Sequence, residues 1–148
     1  MYLLDVNILI YAHRADQLEH SKIKRRLEAL VLSGEKWGTS SFVNAAFVRI
    51  VTNPKFPNSP TPLVQALAVI DSLYAHPNYS PIEAGPHHWK TLRSLCCETR
   101  AKSKRVADAQ HAAIAIDAGS TWVSADSDFK IFESLGLRWE HWMVGAPQ

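Results

Sequence analysis

Two short apolar runs near the ends of the chain each give way to aspartate. Tyr2-Leu3-Leu4 is followed by Asp5, and Thr121-Trp122-Val123-Ser124 by Asp126 and Asp128. Runs this short, bounded by polar residues, read as buried strands rather than helices. The sequence between them carries helical periodicity. Strands alternating with helices predict an α/β fold, a three-layer sandwich with a central, mainly parallel sheet flanked by helices. In such sheets ligands bind outside the carboxyl ends of the strands, where these aspartates fall.

Between the runs, Ile23, Leu27, Leu30 and Val31 share one face of a helix predicted over Asp16–Ser33 and stopped by Gly34. Phe42–Val51 reads as a more buried helix ended by Thr52-Asn53-Pro54. The proline-rich stretch Pro54–Pro62 is a loop. Thr61 is placed to cap a helix with Pro62 at its first position and Leu63, Leu67, Ile70 and Leu73 inward. Trp89, Leu92 and Cys96 mark the inner face of a helix that runs into the basic segment Arg100–Arg105. Asp108 opens an alanine-rich helix closed by Gly119. No repeat or linker divides the chain, so residues 1–148 are expected to form a single domain.

At 47% hydrophobic and 20% charged, the 148 residues have an ordinary globular balance that excludes a disordered chain. Cys96 and Cys97 are adjacent, a spacing that seldom pairs without strain, and read as reduced thiols. The stretch Tyr2–Ala12 is broken by Asp5 and Asn7 and has no basic residue before it, unlike a secretory signal. No run approaches the ~18 apolar residues of a membrane span. A cytoplasmic protein with no membrane association is expected. The net charge of +2 hides opposed regions. Residues 87–105 carry 6 bases and 1 acid, and residues 106–148 carry 2 bases and 6 acids.

Asp5, Asp108, Asp126 and Asp128 converge on one pocket if the first and late strands are neighbours. Two unit charges 4 Å apart repel by roughly 4 kcal/mol at an effective dielectric of 20. A hard divalent cation such as Mg²⁺ removes that penalty and prefers carboxylate oxygens. Such ions activate water and stabilise in-line displacement at phosphorus, so the cluster suits phosphodiester hydrolysis. Each aspartate also has an ordinary structural use. Asp5 with Asn7 can form an Asx turn, Asp108 can favour a helix N-terminus, and Asp126-Ser127-Asp128 can form a turn. Their occurrence at equivalent ends favours the cluster.

Four segments run in order along nearly the whole chain, Leu4-Asp5-Val6-Asn7 through Arg14, Phe47-Val48-Arg49-Ile50-Val51-Thr52-Asn53-Pro54, Val106-Ala107-Asp108 through Ala115, and Thr121 through Phe129. Together they resemble the PIN-domain ribonucleases, specifically VapC-type toxins of toxin–antitoxin pairs. The resemblance implies a PIN-like sandwich and an endoribonuclease dependent on Mg²⁺ or Mn²⁺. It implies an RNA substrate, a neutralising VapB-type antitoxin and a homodimer. Asp5 and Asp108 would be the principal metal ligands, completed by Asp126, with Asp128 as helper or loop anchor. Asn7 and Ser124 would orient them by hydrogen bonds. Products would carry a 5′-phosphate and a 3′-hydroxyl. One departure concerns the second helix, where many PIN domains carry a glutamate three residues before the arginine that is Arg49. Here that slot is Ala46, which suggests one metal ion in place of two.

Taken alone, the basic stretch Arg100, Lys102, Lys104 and Arg105 reads first as a solvated helix end; beside a metal–phosphate site it becomes a candidate phosphate track, with Arg14 a weaker candidate. His87, His88, Cys96 and Cys97 fit no zinc spacing. His111, one turn after Asp108, is expected to pack or hydrogen-bond. The tryptophans are expected in the core, with Trp89, Trp139 and Trp142 the candidates for a dimer surface or base stacking. Two other functions compete. A haloacid-dehalogenase-like phosphatase needs Asp-x-Asp, whereas the first motif is Asp5-Val6-Asn7. A catalytically weakened RNA- or partner-binding module is motivated by the missing glutamate.

Overall fold

The computed structural model describes residues 1–144. The chain runs β1 (Tyr2–Leu4), α1 (Val6–His13), α2 (His20–Leu32), β2 (Trp37–Gly38), α3 (Ser41–Val51), α4 (Leu63–Tyr74), α5 (His88–Thr99), α6 (Lys104–Asp117), β3 (Thr121–Ser124), a 3₁₀ segment (Ser127–Leu135) and β4 (Arg138–His141). The strands form one sheet in the order β2-β1-β3-β4, and every neighbouring pair is parallel. Leu3 lies opposite Gly38 and Trp122, and Leu4 opposite Val123. From β1 the chain passes to β2 on one side and later returns to β3 on the other. The connections therefore part between β1 and β3, and the crevice of such a sheet opens at that switch point. Asp5 follows β1 there, and its N–H donates to Val123 O at 2.9 Å.

Leu3, Leu4, Trp122 and Val123 are buried with Ile8, Val43 and Phe47 from α1 and α3 and with Ile114, Phe129 and Phe132 from the later segments. On α6, Ala109, Ala112, Ala113 and Ala115 are fully enclosed, and their small side chains let that helix lie close against its neighbours. The expected α/β sandwich with a parallel sheet is thus present, and among the described residues no helix is long and apolar enough to cross a membrane.

Four local expectations are corrected. The second helix starts at His20 rather than Asp16, because Asp16 accepts two bonds from Arg14, at 2.9 and 2.6 Å, in the turn before it. Thr61 does not cap α4. Its Oγ1 accepts from Arg14 and meets the His13 ring nitrogen, while Pro62 holds the cap position without a side-chain bond. On α4 the enclosed residue is Ala66, whereas Leu63 is 56% and Leu67 46% exposed. The inner face of α5 is centred on Leu95, with Leu92 and Cys96 beside it, which turns Trp89 outward to 71% exposure.

Candidate active site

The site is built from the ends of β1 and β3 and the second turn of α6. Asp5 caps α1, its Oδ1 accepting from the Val6 N–H at 2.6 Å. Its Oδ2 accepts from the Ser124 hydroxyl at 2.6 Å and from the Asn7 amide at 3.1 Å. Ser124 Oγ in turn accepts from Asn7 Nδ2 at 3.1 Å and from the Asp126 N–H at 2.9 Å, which uses its donor and both lone pairs. Asn7 Oδ1 accepts from the Ala125 N–H at 3.1 Å, locking α1 to the end of β3. Burial pushes the Asp5 carboxyl up to about 6. Ser124 and Val6 oppose this, while the charges of Asp126 and Asp108 add to it.

Asp108 lies in the second turn of α6, which begins at Lys104, so it does not open the helix as the sequence suggests. It is 8% exposed, and burial raises its pKa against the pull of Lys104. Asp126 accepts the Asp128 N–H at 2.9 Å, so the expected turn and the expected site coincide. Burial works against the Asp126 charge, but Lys104 prevails and lowers its pKa. Lys104 Nζ stands among three carboxylates, 2.8 Å from Asp126, 2.9 Å from Asp128 and 3.4 Å from Asp108. Hydrogen bonds to Asp126 and Asp128 hold its ammonium well above the usual lysine range. Grouping Lys104 with the other basic residues misses this position inside the cluster. The signal in the sequence is its spacing, four residues before Asp108 on one helix face.

Asp5, Asp108, Asp126 and Asp128 offer hard carboxylate oxygens, and the last three surround the Lys104 ammonium. That suits Mg²⁺ or Mn²⁺ in kind. Among the described residues no three His, Cys, Asp or Glu side chains form a ready-made cage, and Lys104 occupies the middle of the carboxylates.

The sequence matches the PIN domain family over residues 2–134. It is 39% identical to ribonuclease VapC43 of Mycobacterium tuberculosis over 145 residues, covering 98% of this chain and 97% of that protein. The chain belongs to the PIN-domain VapC family. Ribonuclease VapC31 of the same species is 35% identical, with 91% of this chain and 95% of that protein covered. The fold is also that of VapBC2 from Rickettsia felis bound to a promoter DNA fragment, at a TM-score of 0.68 and 20% identity, over 94% of this chain and 96% of that one.

In this VapC-family chain α3 carries no acidic residue, and Ala46 stands half-buried where the family resemblance leads one to expect glutamate. Arg100, Lys102, Ser103, Lys104 and Arg105 line a pocket with Asp108 and Asp128. Two residues with positive φ shape it, Arg100 at 51° closing α5 and Ser103 at 51° preceding α6. Arg14 is not part of this group. Its guanidinium is taken up by Asp16, Thr61 and Phe56, the last at 4.6 Å from the ring centroid. His111 stacks on Trp122 with centroids 5.3 Å apart, the packing role expected of it.

Proposed function

We propose that this chain is a divalent-metal-dependent endoribonuclease, the toxin of a VapBC pair, using Mg²⁺ or Mn²⁺. The observation that carries this reading is the convergence of Asp5, Asp108, Asp126 and Asp128 at the switch point of the sheet, in a chain of the VapC family. Asp5, Asp108 and Asp126 would hold the ion, with Asp128 supporting Asp126 through its backbone N–H. Ser124 and Asn7 aim the Asp5 carboxylate through the bonds described above. The ion would supply charge neutralisation and a more acidic water for attack on a phosphodiester. With no acid on α3, the donors suffice for one ion.

For that ion to enter, Lys104 would give up its contacts with the carboxylates, and within the pocket it already lines its ammonium would be free to meet a phosphate. Arg100, Lys102 and Arg105 are already there to attract the RNA backbone. Water oxygen bonds to phosphorus, the P–O3′ bond breaks, a proton of that water ends on O3′, and the products carry a 5′-phosphate and a 3′-hydroxyl. Membership of the VapC family supports an RNA substrate, a VapB-type antitoxin that blocks the site, a homodimeric toxin and a cytoplasmic location. The test is to incubate purified, antitoxin-free chain with total cellular RNA in Mg²⁺, Mn²⁺ or EDTA. Discrete cleavage with either metal, abolished by EDTA and by Asp108→Asn, is expected. No cleavage with either metal, or undiminished cleavage by Asp108→Asn, overturns the assignment.

A further inference from the structure

The outward face of α5 is unlike the rest of the surface. At about 100° per residue, Trp89, Lys90, Arg93 and Cys97 fall within an arc of about 100°, Arg100 follows as the left-handed residue that closes the helix, and all five are exposed. The inward face carries Leu92, Leu95, Cys96 and Thr99, and Thr91 Oγ1 donates to Asp117 at 2.6 Å, which fixes the rotation of the helix against α6. The stripe ends at Arg100, which lines the pocket containing Asp108 and Asp128. From Arg100 to Trp89 the helix covers about 16 Å. Lys90, Arg93, Arg100, Lys102 and Arg105 form no ion pair among the described residues, whereas Arg14 and Lys104 do. Glu98 is the single acid between residues 87 and 105.

An exposed indole surrounded by uncommitted cations is the combination that grips single-stranded nucleic acid. Cations track the phosphates and the aromatic face stacks on an unpaired base. The residues one and four positions on from Trp89 are Lys90 and Arg93, and lysine is depleted from protein–protein interfaces. We propose that this face of α5 is a substrate-binding strip, along which the single-stranded RNA flanking the cleaved bond is held by Arg100, Arg93 and Lys90 and ends with a base stacked on Trp89. The strip rests on the ribonuclease reading of the neighbouring carboxylates and makes Trp89 a substrate-contacting residue outside the catalytic cluster.

The other four tryptophans are buried or half-buried, so collisional quenching and RNA-dependent changes in indole emission report chiefly on Trp89. The experiment titrates full-length Asp108→Asn protein in EDTA with oligo(U) and oligo(A) of about 12 nucleotides, within the span such surfaces hold. Tryptophan emission and the anisotropy of labelled RNA are followed together. Expected is quenching on binding that is lost in Trp89→Ala, with affinity weakened about fivefold or more. Trp89→Phe, which keeps an aromatic face, restores most of the affinity. Lys90→Ala with Arg93→Ala lowers the salt dependence by about 1.4 in log–log slope, ~0.7 for each phosphate that a removed cation had neutralised. Unchanged affinity in Trp89→Ala, or a Trp89→Ala protein that changes from dimer to monomer while binding RNA normally, overturns the strip. Metal-dependent cleavage by the otherwise wild-type chain separates the two claims. Cleavage with a neutral Trp89→Ala refutes the strip alone, and binding through Trp89 without any cleavage refutes the nuclease reading alone.

Discussion

Ser124 shows how much of the site is decided by single hydrogen bonds. One hydroxyl donates to Asp5 and accepts from Asn7 and the Asp126 backbone, so it ties the Asp5 carboxylate to the backbone that carries Asp126 across the switch point. His111 has a different position. Its ring lies flat against Trp122, and its Nδ1 is buried without a partner. Burial lowers its pKa to about 4 from 6.5. The unfolded chain therefore binds a proton below about pH 6.5 that the folded chain refuses until about pH 4. The stability this neutral ring contributes is complete above about pH 6.5 and is lost as pH falls toward about 4, by about 2–3 kcal/mol at about pH 4.5. Urea unfolding at about pH 7.5 and 4.5 checks this. Wild type is expected to lose about that much more stability than His111→Leu, and equal losses would contradict it.

At the scale of elements, β2 is the least conspicuous piece and one of the most constrained. It is two residues long, and its outer edge is covered by the segment around Tyr79, with Trp37 N–H donating to Asn78 O, Ser80 N–H to Trp37 O, and Ile82 N–H to Thr39 O. A Cβ on Gly38 would meet the Ser80 carbonyl oxygen at 1.8 Å, so only glycine allows this approach. Gly38→Ala is expected to cost about 1–3 kcal/mol in chemical denaturation, the usual penalty of overpacking, and a neutral effect would show that the edge segment moves freely. Such an element leaves no sequence signal, since two residues have no periodicity. The strand β4 is equally silent because Arg138-Trp139-Glu140-His141 is a polar edge strand. By contrast, Tyr2–Leu4 and Thr121–Ser124 are legible as buried runs, and the two strands are neighbours as expected. The start of α6 is not legible. Asp108 resembles a cap, but the turn at Ser103 starts the helix four residues earlier, and that shift brings Lys104 over the cluster. Likewise α1 is hidden within the mainly apolar stretch Tyr2–Ala12, and its marker is Asp5, which caps it.

For the molecule as a whole, the modest net charge is a balance between a carboxylate centre and a basic rim, and Lys104 is where the two meet. The ammonium offsets part of the charge of Asp108, Asp126 and Asp128, and on the proposed reading a divalent ion takes its place. Calorimetric titration of Mn²⁺ into purified chain, free of antitoxin and RNA, tests this directly. One saturable ion is expected for wild type, with binding weakened at least about tenfold by Asp108→Asn and tightened by Lys104→Met, which removes the competing charge. The absence of saturable binding, or Asp108→Asn protein that binds Mn²⁺ as tightly as wild type, would contradict a metal site at these carboxylates.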